Sequence, residues 1–108
     1  MTGDELVEAL AALANPIRLR IVGRLAGGRQ YVSQLAREIG ISRPLLHMHL
    51  QRLEAAGLVA GSLELSSDGK AMKYFEVTGF DVRLTAALVA EAAATLTDPK
   101  GPAHKEKT

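Results

Sequence analysis

The stretch Ile41 to Val59, ISRPLLHMHLQRLEAAGLV, constrains this chain more than any other. Ser42 is a helix N-cap. Leu46, Leu50 and Leu53 share one stripe when set out at about 100° per residue. Gly57 stops the helix, and Leu58-Val59 opens an extended segment. Away from the leucine stripe lie Arg43, Pro44, His47, Met48 and Gln51, with Arg52 one turn further on. Just upstream, VSQLAREIG forms a shorter helix, with Ser33 as its cap, Leu35, Ala36 and Ile39 inward, and Gly40 as its stop. Two helices joined by a tight Gly-containing turn, the second presenting polar groups, make a helix-turn-helix.

The flanks complete the architecture. Thr2 and Glu5 form a capping box for a first helix, Gly3 to Ala14, with Leu6, Leu10 and Leu13 on its apolar stripe. Asn15-Pro16 restarts the chain as a second helix that ends at Gly27-Gly28. Gln30-Tyr31-Val32 is a short extended entry to the third. After the fourth helix, Val59 to Leu65 and Ala71 to Val77 read as two strands around the turn Ser66-Ser67-Asp68-Gly69. A hairpin in that place is a wing. A last helix is expected from Asp81 or Val82 to about Thr97, with six alanines. Alanine fills little core volume, so this helix suits close approach to a symmetry mate. The expected fold is mainly α with a β-hairpin: a winged helix-turn-helix, order ααααββα, over residues 1–97. The polar tail 98–108 is expected to be disordered.

At 108 residues one domain is expected. No apolar run approaches the roughly 18 residues of a membrane span. The acidic N-terminus lacks the basic start of a signal peptide, and a cytoplasmic location is expected. Absence of cysteine removes disulfides, thiolate metal sites and cysteine nucleophiles together. There is no P-loop, no G-x-G-x-x-G and no nucleophile elbow, so an enzyme is not expected. Net charge is +1, which says little, but its distribution is uneven. Arg29, Arg37, Arg43 and Arg52 face a single acid, Glu38, between residues 29 and 52, whereas residues 1–15 hold three acids and no base. A local basic segment suits phosphates.

The polar set on the fourth helix suits double-stranded DNA. Arg43 can pair with guanine O6 and N7, and Gln51 with adenine N6 and N7. His47 can donate to a base or a phosphate, and Met48 can meet a thymine methyl. Ser42 and the helix N-terminus suit a backbone phosphate. Lys70 and Lys73, in or near the wing, reach neighbouring phosphates. The competing use of such a fold is as a module that docks another protein.

The runs ALANPIRLRIVGRLAGG and VSQLAREIGISRPLLHMHLQRLEAAGLV, followed by the hairpin with its return strand KYFEV, resemble the ArsR/SmtB family of bacterial winged-helix regulators over roughly Leu10 to Leu96. The resemblance implies a homodimer paired through the first and last helices, with Leu6, Leu10, Leu84 and Leu88 near the interface. It places Arg43, Pro44, His47 and Met48 at a pseudo-palindromic operator. Many members are repressors released from DNA by a metal ion. The family's cysteine positions correspond here to Tyr31 and Ser33, which are poor ligands for soft metals. Its last-helix positions correspond to Asp81, Arg83, Ala94 and Thr97, of which only Asp81 can ligate. His47 and His49, two apart on a helix, point about 200° from each other and cannot chelate one ion. His104 and Glu106 remain as candidates for Ni²⁺, Zn²⁺ or Co²⁺. With so poor a donor set, the regulatory signal is expected from a partner protein, and direct metal response is the alternative.

Overall fold

The computed structural model describes residues 1–97. Five helices and three strands follow in order: α1 Gly3–Leu13, α2 Pro16–Leu25, β1 Gln30–Tyr31, α3 Val32–Ile39, α4 Arg43–Ala55, β2 Val59–Leu65, β3 Ala71–Val77 and α5 Ala86–Ala93. The expectations for 98–108, including His104 and Glu106, lie outside the described residues.

Local chemistry sets most helix ends. Thr2 Oγ1 accepts from the Glu5 N–H at 3.1 Å, and the Glu5 carboxylate accepts from the Thr2 N–H at 2.8 Å, completing the capping box. The Asn15 side chain accepts from the N–H groups of Ile17 and Arg18, with Pro16 as the first residue of α2. Ser42 Oγ accepts from the Leu45 N–H at the start of α4. At the far end of α4, Gly57 takes the left-handed φ of 77°. That turn lets the Leu58 N–H reach the Leu53 carbonyl at 3.0 Å and the Gly57 N–H reach Glu54 at 2.9 Å, a Schellman closure.

Three expectations need correction. The third helix starts at Val32, not after a Ser33 cap. Tyr31 is the N-cap and has no side-chain cap bond, because β1 pairs with β3 (Gln30 with Phe75, Tyr31 with Tyr74) and keeps the chain extended to that point. Burial of Val32 fixes the turn into helix. The hairpin therefore gains a third strand, in the order β1-β3-β2. The last helix begins at Ala86, since Thr85 is extended and its Oγ1 accepts from the Leu88 N–H at 3.1 Å. It ends at Ala93, and Thr95 turns its hydroxyl back to the Ala92 carbonyl. The strands β2 and β3 span the expected residues, paired from Val59–Val77 to Leu65–Ala71.

The core gathers Ile21, Leu25, Leu35, Leu46, Leu50, Leu53, Leu58, Val59 and Phe75, so α2, α3 and α4 pack on one another and on the root of the wing. α1 adds Ala9 and Ala12 to this core and also pairs with α5. Their contact depends on Gly3, where an added Cβ would stand 2.2 Å from the Ala92 carbonyl oxygen. The Gly3 N–H donates to Thr95 Oγ1 at 2.7 Å, and Thr97 Oγ1 donates to Asp4 at 2.7 Å. Gly3→Ala must push α5 away from α1, and we expect a loss of about 1–3 kcal/mol in urea unfolding. A variant as stable as the parent would show that the two helices are not held this closely.

Candidate nucleic-acid interface

The recognition face is built by the stripe opposite the core. Leu46, Leu50 and Leu53 are 0% exposed, which fixes the rotation of α4. Arg43, His47 and Gln51, at successive four-residue steps, are then all exposed, as are Pro44, Met48 and Arg52. Met48 is 64% exposed and has no core role.

A groove of about 410 Å³ runs between α4 and the wing, lined by Arg43 and His47 on one wall, Lys70 and Lys73 on the other, and Tyr31 and Ser33 at its end. Among the described residues, no carboxylate lines it. Of the residues read from the sequence, the structure brings Arg43, His47, Lys70 and Lys73 into this groove. Pro44, Met48, Gln51 and Arg52 lie outside its lining, on the exposed surface of α4. The Ser42 hydroxyl is engaged as a cap acceptor, which leaves its proton free to donate.

The wing is braced. Ser66 and Lys70 close the hairpin turn, with the Ser66 N–H 2.7 Å from the Lys70 carbonyl and the Lys70 N–H 3.1 Å from Ser66 Oγ. The Lys73 ammonium stands 5.5 Å from the centre of the Phe75 ring. Arg29 lies 4.0 Å over the Tyr74 ring and 3.6 Å from the Glu64 carboxylate, and the Tyr74 hydroxyl donates to Glu64. The charge of Arg29 is thus balanced within the wing, and Glu38 pairs with Arg24 at 3.1 Å. The basic segment narrows to Arg37, Arg43 and Arg52, joined by the two wing lysines.

Sequence reasoning missed two contributors. Tyr31 and Ser33 place the first turn of α3, whose N–H groups have no side-chain cap, at the end of the groove. The strand formers of Gln30-Tyr31 opposite the aromatic pair Tyr74-Phe75 carried that signal. The second is Arg18, which contacts His49 on α4.

Among the described residues, no three His, Cys, Asp or Glu side chains come together as a metal site. The family-equivalent donors do not fit one either. Tyr31 and Ser33 line the groove, and Thr97 is bonded to Asp4.

On the α1–α5 side, Leu6 is buried within the chain and Leu88 is half-buried, whereas Leu10 and Leu84 are exposed. Val7, Val89 and Leu96 are also exposed. A shallow apolar groove of about 160 Å³ is lined by Leu6, Val7, Leu10, Val89, Ala92 and Leu96, among others.

A three-helix core, a capped helix with a polar outward face and a basic wing define the class of winged helix-turn-helix regulators. The comparisons agree. A family model described as a helix-turn-helix domain matches residues 13–61. The chain is 34% identical over 87 residues to the HTH-type transcriptional regulator CmtR of Mycobacterium bovis, covering 81% of this chain and 70% of that protein. It is 40% identical over 58 residues to the HTH-type transcriptional repressor SmtB of Mycobacterium tuberculosis, covering 54% and 43%. Among solved structures, it superposes on a homodimeric winged helix-turn-helix DNA-binding domain from Mycobacterium bovis with a TM-score of 0.60 and 27% identity, covering 84% and 73%. The chain belongs to the ArsR/SmtB family of helix-turn-helix transcriptional regulators. Shorter matches, of 51–61 residues, span 42–64% of the relatives' own length. No described helix is long and apolar enough to cross a membrane.

Proposed function

We propose that this chain is a sequence-specific DNA-binding transcriptional regulator, not an enzyme, and that it acts in the cytoplasm as a homodimer on a pseudo-palindromic operator. The observation that carries the reading is the groove, free of acids among the described residues, that sets Arg43 and His47 of α4 opposite Lys70 and Lys73 of the wing. A DNA backbone in that groove meets the wing lysines, while the start of α4 enters the major groove. Arg43 and Gln51 then read base edges, Met48 offers apolar contact, and Ser42 and Arg52 hold flanking phosphates. The test is operator affinity against salt. Log affinity should fall linearly with log salt, with a slope of about −0.9 per phosphate contact. Lys73→Ala should make the slope shallower by about 1, on every sequence alike. Affinity that ignores salt would favour a protein-docking module instead.

The dimer reading rests on exposed apolar side chains of α1 and α5 and on likeness to a homodimeric domain. A twofold axis beside Leu10, Leu84, Val89 and Leu96 covers them from both chains, with Leu6 as the floor and the half-buried Leu88 nearby on α5. Leu10→Glu combined with Val89→Glu should halve the mass in sedimentation equilibrium and abolish tight operator binding. A double variant that remains dimeric would place the interface elsewhere.

A further inference from the structure

Arg18 touches two elements at once. Its Nε donates to the Ala12 carbonyl in the last turn of α1 at 2.6 Å, and its Nη1 lies 3.2 Å from Nδ1 of His49 on α4. The first bond satisfies a carbonyl at a helix C-terminus, where a cation is also favoured by the helix dipole. The second has one chemical reading. Arginine stays charged and offers only donors, so Nδ1 of His49 accepts and the ring proton sits on Nε2. His49 is half-buried, unlike His47 two residues earlier on the other side of α4, so the ring faces the scaffold rather than the groove.

We propose that Arg18 and His49 form a latch that holds α4 against the α1–α2 junction, and that it closes only while Nδ1 of His49 carries no proton. Protonation would set an N–H against an N–H and two cations against each other. The effect on DNA rests on the reading of α4 as the recognition helix. The latch itself does not.

Among the described residues, the surroundings leave Arg18 as the charged partner. From α1, Asp4, Glu5 and Glu8 line a cleft with Ala55 and Ala56 at the C-terminal end of α4, about 9 Å along the helix from His49. From α2, Arg24 pairs with Glu38 of α3, and Arg20 lies beside them. Arg37 of α3 is exposed, and Glu64 of β2 is held by Arg29 and Tyr74. On α4, Arg43, Arg52 and Glu54 are exposed. Burial first, and the Arg18 charge second, lower the His49 pKa from its ordinary 6.5. The sign follows. The unfolded chain takes up the proton more readily, so the contribution to stability is complete above 6.5 and is lost as pH falls below it, through the depressed folded value.

Two measurements decide it. Long-range ¹H–¹⁵N spectra of the free protein should show the Nε2–H tautomer for His49 and a titration midpoint below 6.5. An Nδ1–H tautomer, or a midpoint at or above that value, overturns the latch. The second measurement is operator affinity against pH. Both proteins carry His47→Gln, so that the other histidine of α4 adds no titration. With His49 intact, affinity should drop about fivefold from about pH 7.5 to about pH 5.5, the worth of one hydrogen bond. With His49→Gln added, an acceptor remains for Arg18 and the drop should vanish. Equal profiles overturn the coupling to DNA. If the parent protein binds no specific site at any pH, the DNA reading fails, and the spectra still judge the latch.

Discussion

Leu50→Ala should cost about 2–5 kcal/mol of folding stability. Leu50 has no exposed surface and sits in the cluster that joins α2, α3 and α4 to the root of the wing. Truncation loses the transfer free energy of the removed carbons and leaves a cavity that three helices cannot close by moving independently. Domains of this size are held by only about 5–15 kcal/mol, so the loss is a large share of the total. Urea unfolding followed by circular dichroism reads it as a lower midpoint with an unchanged slope. A loss below about 1 kcal/mol would mean that α4 is not seated by its leucine stripe, and the rotation argued for Arg43, His47 and Gln51 would lose its basis.

Arg43→Ala should weaken operator binding by about 1–3 kcal/mol, roughly fivefold to more than a hundredfold, and relax the preference at one base pair per half-site. Arg43 is the first residue of α4, exposed, and on the wall of the groove facing Lys70 and Lys73. A wing-lysine variant should behave differently, weakening all sequences alike. If Arg43→Ala weakens specific and random duplexes equally, Arg43 contacts phosphate and the base reader lies further along α4. Competition binding against duplexes varied one base pair at a time separates the two.

Much of this molecule was legible in its sequence because the signals were local. Thr2 with Glu5, Asn15-Pro16, Ser42 and Gly57 each act within one turn of chain, and each sits where its chemistry predicts. The strands β2 and β3 follow from a local turn. What was hidden depends on distant partners. The start of α3 is set by pairing of Tyr31 with Tyr74, 43 positions later, and so Ser33 was misread as a cap. Thr85 carried a cap signal for α5, but the apolar residues before it masked the true start. Arg29 looked free for phosphate until Glu64 and Tyr74 were placed around it. Arg18 met His49 only through the packing of α2 on α4. The recognition face was readable because a helix with one buried stripe declares its other side. The groove was not, since half of its wall comes from a hairpin 23 or more residues further along.

Selection of bound duplexes from a random library tests the central claim most directly. The account predicts one enriched motif with dyad symmetry, its half-site centres about 10–10.5 base pairs apart or a multiple of that, and loss of a conserved position when Arg43→Ala is used in the same selection. Recovery of no common motif from a folded, dimeric protein would contradict the assignment of α4 as a reader of DNA sequence.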